Sequence, residues 1–187
     1  MARGFASIAL AATLAASSQS VRVERLDGSL TNPFDWPSGT KAAAFVFVST
    51  ECPISNRYAP EIRRLVDAFA PKGVVFRLVY PNPADTADAI HHHLTGFDFG
   101  GVDALRDPKQ ALVTFTGATV TPEAAVVMGG RVVYRGRIDD RYAVLGVDRQ
   151  TATTHDLEDA LSAALAGRPA AHRTTQAVGC FIADFAR

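Results

Sequence analysis

The sequence has no excess charge of either sign, because Lys and Arg together number 19 and Asp and Glu together also number 19. A chain without net charge has no long-range attraction for nucleic-acid phosphates or anionic lipids, so we predict no nucleic-acid partner. Hydrophobic residues make up 48% and charged residues 20% of the 187 positions. These shares are ordinary for a globular protein, and a core of normal size can form without structural metals.

The sequence also has no apolar run long enough to span a membrane. Residues 5–16 form an apolar stretch of about 12 residues, whereas a spanning helix needs about 20. Arg3 precedes this stretch, and small residues follow at positions 15–18. This order of charged, apolar and small residues is typical of a secretory signal. We therefore predict that residues 1–20 are a cleaved signal peptide, that the protein is periplasmic or extracellular, and that it has no stable membrane insertion.

Cysteine is scarce, with only Cys52 and Cys180 in the whole chain. An exported protein meets an oxidising compartment, in which two thiols can form a disulfide. The two cysteines lie far apart in the sequence, so their pairing depends on the tertiary fold. The sequence leaves the question open.

The rest of the chain alternates strand-like and helix-like patterns. Short apolar runs bounded by polar residues predict strands, and apolar spacings of three and four predict helices. The predicted strands are residues 21–26 (an edge strand), 42–48, 74–80, 124–128 and 131–134, and the predicted helices are residues 53–70, 84–94, 107–115 and 156–166. Gly129 and Gly130 suit a tight hairpin turn. Parallel pairing early and antiparallel pairing late predict an α/β fold, with one mixed central sheet flanked by helices on both faces.

Cys52 stands where a predicted buried strand passes into a helix. The first turn of a helix has unpaired backbone N–H groups and a partial positive charge, which stabilise a thiolate and lower its pKa. Pro53 suits the first helical position because its missing N–H would be unpaired there. The neighbours of the cysteine are polar: Ser49, Thr50, Glu51 and Ser55. We therefore expect Cys52 to be a solvent-exposed nucleophile, and the alternative is a small buried hydrophobe.

The segment around Cys52 resembles the active site of the thioredoxin-like superfamily. The resemblance lies in the strand, the Cys-Pro-Ile-Ser tetrapeptide from Cys52, and Pro60, which corresponds to a helix kink. Downstream, Thr121-Pro122 is similar to the family's cis-proline loop. The match covers roughly residues 42–167. It implies a thioredoxin-like fold over residues 21–167, with Cys52 as the nucleophile and with Thr121 and Pro122 forming the wall against which an extended partner chain pairs.

The sequence departs from the thioredoxin pattern in three places. Ser55 replaces the second cysteine of the tetrapeptide, Glu51 replaces the usual tryptophan, and Val46 replaces a buried acid. Without a second thiol in the tetrapeptide, the ordinary local dithiol–disulfide cycle is not possible. A nearby Glu51 would also oppose ionisation of the thiol.

Ser49-Thr-Glu-Cys-Pro53 is also similar to a peroxiredoxin site, and the overall pattern resembles exported bacterial redoxin-domain proteins of the alkyl hydroperoxide reductase and thiol-specific antioxidant grouping. Peroxiredoxins carry a catalytic arginine near the place that Pro122 occupies here. Arg135 and Arg137 do not stand at the matching position. Disulfide exchange is therefore favoured slightly over peroxide reduction.

Cys180 lies in a C-terminal extension, residues 168–187, that has no clear periodicity. Gly179 gives the backbone freedom, and Phe181 with Ile182 could attach the extension to the domain. Cys180 could resolve an oxidised Cys52, form a static disulfide, or remain a buried free thiol. The sequence leaves all three alternatives open.

Three consecutive histidines, residues 91–93, invite a metal hypothesis. Consecutive residues on a helix point about 100° apart, so we interpret them as an exposed helical end. A copper site made from Cys52, Cys180 and a histidine is a weaker hypothesis, because the closely paired cysteines of such sites are missing. We therefore predict no metal and no cofactor.

These observations predict an extracytoplasmic thiol-disulfide oxidoreductase with Cys52 as nucleophile and Cys180 as a possible resolving cysteine. Ser49, Pro53, Thr121 and Pro122 are the expected substrate-binding residues. The expected partners are a protein disulfide or thiol, or a small peroxide, together with an external reductant. The alternatives are a peroxiredoxin-like thiol peroxidase and a non-catalytic binding or copper-handling module.

Overall fold

The computed structural model describes residues 21–183. The predicted signal peptide, residues 1–20, lies outside the described residues. Among residues 21–183, no helix has the length and apolar character required to cross a membrane.

The centre of the molecule is a seven-stranded mixed sheet. Its strands are β1 (Val23–Glu24), β2 (Leu30–Thr31), β3 (Ala42–Phe47), β4 (Val74–Tyr80), β5 (Asp103–Arg106), β7 (Glu123–Met128) and β8 (Arg131–Gly136). Their order in the sheet is β2-β1-β5-β4-β3-β7-β8. β3 pairs in parallel with β4 and β4 with β5, whereas the β3–β7 and β7–β8 pairs are antiparallel. The predicted mixed sheet is therefore confirmed.

Helices cover both faces of this sheet. The helices are α1 (Pro53–Arg57), α2 (Ala59–Phe69), α3 (Ala87–Gly96), α4 (Ala111–Thr116) and α5 (Asp156–Leu165). Alternate residues of β3 belong to two separate apolar clusters, because successive side chains of a strand point to opposite faces. One cluster contains buried residues of α2, α3 and α5, and the other contains those of α4.

The predicted helix over residues 53–70 is divided into α1 and α2. Pro60 has no backbone N–H to donate to the preceding turn, and the helix is interrupted at Tyr58. The interruption agrees with the kink implied by the thioredoxin resemblance. It makes α1 a single short helix that begins directly after Cys52.

Several sequence predictions were wrong or incomplete. The segment at residues 21–26 is not an edge strand, because β2 pairs outside β1. The connection after β8 contains a second hairpin, β9 (Tyr142–Val144) with β10 (Val147–Asp148). The C-terminal extension contains β11 (Cys180–Phe181), which pairs with the short strand β6 (Val120–Thr121). Two-residue strands have too few positions to show an alternating pattern in a sequence.

Candidate active site

Cys52 lies at the N-terminal boundary of α1, one short loop after β3. Its backbone is extended, with φ −82° and ψ 109°, and Pro53 occupies the beginning of the helix. The Cys52 N–H donates to the carbonyl of Ser49 at 3.3 Å. The sulfur is therefore held beside the unpaired amides of the first helical turn.

The expectation that Cys52 is exposed to solvent is wrong, because only 2% of the residue is accessible. Its sulfur lies beneath the C-terminal extension and beside the loop of Thr121. The Cys52 thiol donates to the Thr121 carbonyl at 3.0 Å. The polar residues near Cys52 in the sequence gave no indication of this cover, which comes from a segment more than a hundred residues later.

The Thr121-Pro122 peptide bond is cis, as the thioredoxin resemblance implies. β6 ends at this bond and presents its backbone to β11, with Thr121 opposite Cys180 and Val120 opposite Phe181. Beyond β11, the N–H of Ile182 donates to the Thr119 carbonyl at 3.0 Å. The chain's own extension therefore pairs with the wall that was predicted to receive an extended partner.

The pairing of β11 with β6 brings the two sulfur atoms together. Cys180 Sγ lies 2.7 Å from Cys52 Sγ, and the Cys180 thiol donates to Cys52. The structure describes both as free cysteines, with Cys52 buried and Cys180 exposed. Of the alternatives left open by the sequence, the buried free thiol is wrong, because Cys180 is exposed.

The two thiols differ in acidity. Burial raises the pKa of Cys52, but the hydrogen bond from the Cys180 thiol and the nearby amide and hydroxyl of Ser55 more than offset burial, so the net pKa lies below its usual range. The Ser55 hydroxyl is buried and has no hydrogen-bond partner among the described residues. Burial, the hydrogen bond to Cys52 and the nearby Cys52 charge raise the pKa of Cys180 to about 11. Cys52 is therefore the thiol that ionises first.

A cavity of about 170 Å³ opens beside the two sulfur atoms. It is lined by Ser49, Glu51, Cys52, Pro81, Asn82, Thr121 and residues 180–183. Of the predicted substrate-binding residues, Ser49 and Thr121 line the cavity. Pro53 and Pro122 are not among its walls.

A buried ion pair holds the cis-proline loop, and sequence analysis missed it. Glu123 follows Pro122, is 1% exposed, and binds Arg135 at 2.8 Å. Its other carboxylate oxygen accepts the N–H of Thr119 at 2.7 Å and the N–H of Val120 at 3.3 Å. Glu123 therefore fixes the backbone of β6, with which β11 pairs. The sequence offered one indication of this role, because Glu123 directly follows the Thr121-Pro122 pair.

His93 corrects the expectation that residues 91–93 are an exposed helical end. Only 5% of His93 is accessible, although His91 and His92 are exposed. Its Nε2 lies 2.8 Å from Asn56 Oδ1 and its Nδ1 lies 2.9 Å from the Tyr80 hydroxyl. Asn56 Oδ1 can only accept, so Nε2 carries the proton and Nδ1 accepts from Tyr80. Burial lowers the pKa of His93, which keeps this ring neutral.

This hydrogen-bonded chain reaches the loop before Cys52. The Asn56 side-chain amide donates to the Thr50 carbonyl at 3.3 Å, and the Asn56 backbone N–H donates to the Cys52 carbonyl at 3.1 Å. The Thr50 hydroxyl in turn donates to the buried carboxylate of Asp85 at 2.5 Å. Side chains from α1, α3, β4 and the segment before α3 therefore hold the loop that positions the sulfur.

Neither a peroxiredoxin-type arginine nor a copper-type histidine lines the cavity within residues 21–183. Arg135 binds Glu123, and Arg137 binds Asp156 at 2.8 Å. Elsewhere, Glu61, His155 and Glu158 approach one another closely enough to suggest a cation site. Arg64 already forms ion pairs with both carboxylates.

No family model and no curated protein matches the sequence, but solved structures share its fold. A hypothetical protein from Sinorhizobium meliloti is 23% identical, covers 86% of this chain and 88% of its own, and superposes with a TM-score of 0.72. An uncharacterized conserved protein from Geobacillus kaustophilus is 26% identical, with 86% of each chain covered and a TM-score of 0.72.

A secreted disulfide oxidoreductase from Mycobacterium tuberculosis, homologous to DsbE of E. coli, is 16% identical and superposes with a TM-score of 0.52. The match covers 79% of this chain and 96% of that one. At this identity the likeness concerns the fold. The protein has a thioredoxin-like fold, as the sequence predicted.

Proposed function

We propose that the protein is an extracytoplasmic thiol-disulfide oxidoreductase that cycles between a Cys52–Cys180 dithiol and a Cys52–Cys180 disulfide. The observation that carries the proposal is the 2.7 Å separation of two sulfur atoms supplied by segments 128 positions apart. The lowered pKa of Cys52 and the raised pKa of Cys180 give the two thiols different roles. The site needs no cofactor for this chemistry.

In the first step, the Cys52 thiolate attacks one sulfur of a partner disulfide. A bond forms between Cys52 and that sulfur, the partner's S–S bond breaks, and the other partner sulfur leaves as a thiolate. The hydrogen bond from the Cys180 thiol, the nearby Ser55 and the positive end of α1 favour the thiolate form of Cys52, which is the attacking form. The product is a mixed disulfide between Cys52 and the partner.

In the second step, Cys180 attacks the Cys52 sulfur and releases the partner as a second thiolate. Once Cys52 is part of a mixed disulfide, it carries no charge that would hold the Cys180 pKa up, so Cys180 loses its proton to water more readily. Two electrons have then passed from the dithiol to the partner. An external dithiol reductant restores the reduced protein by the reverse steps.

Cys180 takes the role that Ser55 cannot take. Ser55 replaces the second cysteine of the tetrapeptide, and a hydroxyl cannot form the disulfide that resolves a thiol-linked intermediate. A resolving thiol delivered by the extension lets the cycle close without a second cysteine in α1. The proposed organisation is a signal peptide over residues 1–20, a thioredoxin-like domain over residues 21–167 and an extension carrying Cys180 over residues 168–187.

Peroxide reduction receives less support from the site. A peroxidatic thiolate requires a cation that orients the peroxide, and no arginine lines the cavity within the described chain. Stopped-flow measurements of Cys52 with a model disulfide and with hydrogen peroxide separate the two activities. We expect the disulfide to react well above the rate of a free thiol and peroxide to react near that rate, and the reverse order would overturn the proposal.

The Cys180→Ser variant tests the second step of the cycle. Treated with a model disulfide, this variant should accumulate the Cys52 mixed disulfide, because no thiol is present to resolve it. The unmodified protein should instead release both thiols and end as an internal disulfide. The Cys52→Ser variant is the control and should form neither product. A Cys180→Ser variant that turns over at the unmodified rate would contradict the proposed cycle.

A further inference from the structure

The extension occupies the place of an extended peptide on the cis-proline loop. β11 lies antiparallel to β6 with Cys180 opposite Thr121, and the Ile182 N–H donates to the Thr119 carbonyl. The side-chain amide of Gln110 also donates to the carbonyl of Ala183. The backbone of this segment, residues 179–183, therefore pairs with β6 as an added strand pairs with a sheet edge. The stereochemistry of this contact limits which sequences can make it.

The residue before the cysteine must be glycine in this register. A Cβ atom added to Gly179 would lie 2.1 Å from the carbonyl oxygen of Thr121 and 2.6 Å from its carbonyl carbon. Both are backbone atoms of the loop that Glu123 holds, so they cannot move aside as a flexible side chain would. The close approach of Gly179 is what lets the next residue place its sulfur against Cys52.

The two residues after the cysteine have opposite environments. Phe181 is 83% exposed, so its position places little demand on the side chain. Ile182 is partly buried and packs against the apolar cluster that contains Phe45 and Leu112. The second position after the cysteine therefore favours an aliphatic side chain, because burial of apolar surface stabilises the bound segment.

From these contacts we infer that the groove along β6, which residues 179–183 occupy here, selects partner segments with the pattern glycine, cysteine, any residue, aliphatic residue. Residues 179–183 then compete with such a partner for the same groove. The inference rests on the proposed thiol-disulfide function. An incoming segment adds to the exposed edge of β6 by main-chain hydrogen bonds once the extension has left.

The covalent step requires the partner cysteine to be in a disulfide. Cys52 attacks the partner cysteine sulfur, the bond from that sulfur to its leaving thiol breaks, and the thiol departs as a thiolate. The protein supplies two electrons in total once Cys180 has resolved the mixed disulfide. The extension must leave the groove for the first step and return for the second.

The selection can be measured with the full-length Cys180→Ser protein and short peptides. Each peptide carries its cysteine as a mixed disulfide with 5-thio-2-nitrobenzoate, whose coloured thiolate is released when Cys52 attacks. The reference peptide has the sequence Ala-Val-Gly-Cys-Phe-Ile-Ala. We expect replacement of its glycine by alanine to slow the reaction about tenfold, because the added methyl group meets the Thr121 carbonyl. Replacement of isoleucine by serine should also slow it, and replacement of phenylalanine by serine should not.

The competition can be measured by displacing the extension. The Gly179→Ala change in the Cys180→Ser protein should prevent residues 179–183 from seating and should raise the rate with the reference peptide severalfold. Gly100→Ala in the same background is the matched control, because a Cβ at Gly100 meets nothing within 4 Å. Ile182→Ser is a second way to release the extension if Gly179→Ala fails to fold.

Equal rates for the glycine and alanine peptides would overturn the selection, and an unchanged rate in both released variants would overturn the competition. These outcomes are independent of the proposed cycle. If the unmodified protein never forms the Cys52–Cys180 disulfide, the cycle fails even where the peptide preference holds. If the disulfide forms but the peptides react alike, the cycle stands and the selection fails.

Discussion

Glu123 and Arg135 form an ion pair, 2.8 Å between carboxylate oxygen and guanidinium nitrogen, directly behind the cis-proline loop. The same carboxylate holds the backbone N–H groups of Thr119 and Val120. Glu123→Gln removes the charge and leaves a partly buried guanidinium without its partner. We expect the free energy of unfolding to fall by about 2 kcal/mol or more, measured by urea denaturation.

The matched control for Glu123→Gln is Glu158→Gln. Glu158 also binds an arginine, Arg64, but both side chains of that pair are substantially exposed. An exposed pair contributes about 0–1 kcal/mol, so this control should remain close to the unmodified protein. If Glu123→Gln lost no more stability than Glu158→Gln, the loop would not depend on the buried pair.

The acidity of Cys52 should depend on the Cys180 thiol. Cys180→Ala removes a hydrogen-bond donor to the Cys52 thiolate, so the pKa of Cys52 should rise and its thiolate fraction at neutral pH should fall. The measurement is the pH midpoint of Cys52 alkylation, followed by mass spectrometry. The midpoint reports the acidity of the thiol, whereas the absolute rate also depends on how readily the reagent reaches the sulfur.

Cys180→Ser is the control for that titration, because its hydroxyl can still donate. Its Cys52 midpoint should lie below that of Cys180→Ala. In the unmodified protein, Cys180 should ionise only near its raised pKa of about 11. A Cys52 midpoint at or above the value for an unfolded peptide thiol would show that the site does not activate this cysteine.

Because His93 is buried, we expect the folded protein to lose stability in mild acid. Burial lowers its pKa in the folded protein below the ordinary value of 6.5, so between these two values the unfolded chain binds a proton that the folded chain does not. Stability must then fall as the pH drops below about 6.5, because protons favour the unfolded chain. Asp85 acts in the opposite direction and reduces the effect.

The comparison of His93→Gln with His91→Gln isolates this effect. Glutamine cannot be protonated in this pH range. Between about pH 8 and about pH 5.5, the free energy of unfolding of His93→Gln should therefore decline less than that of the unmodified protein. His91 is exposed, and its replacement should leave the decline unchanged. If the free energy of unfolding declined equally in all three proteins, His93 would not be the cause of the acid sensitivity.

The centre of the sheet could be predicted because β3 is a buried, unbroken apolar run and β4 is buried and apolar except for Arg77. Gly129 and Gly130 both adopt the positive φ that the predicted hairpin turn requires. The position of Cys52 at the beginning of α1 followed from the same strand and from Pro53. Local pattern was sufficient for these features.

The cover over Cys52 could not be predicted, because it depends on contacts between distant segments. β11 has two residues, both exposed, so it carries no hydrophobic pattern. Its placement depends on the close approach of Gly179 to Thr121 and on the packing of Ile182. His93 was misjudged for a related reason. Its burial is set by Tyr80 and Asn56, which reach it from other elements.

Mapping the cysteine linkage after mild oxidation tests the central claim most directly. The reduced protein is treated with one equivalent of a disulfide oxidant, and the products are digested and identified by mass spectrometry before and after addition of a dithiol reductant. We predict a single intramolecular Cys52–Cys180 disulfide that forms at low protein concentration and returns to two thiols on reduction. Cysteines that remain unlinked, or that link only between separate molecules, would contradict the proposed cycle.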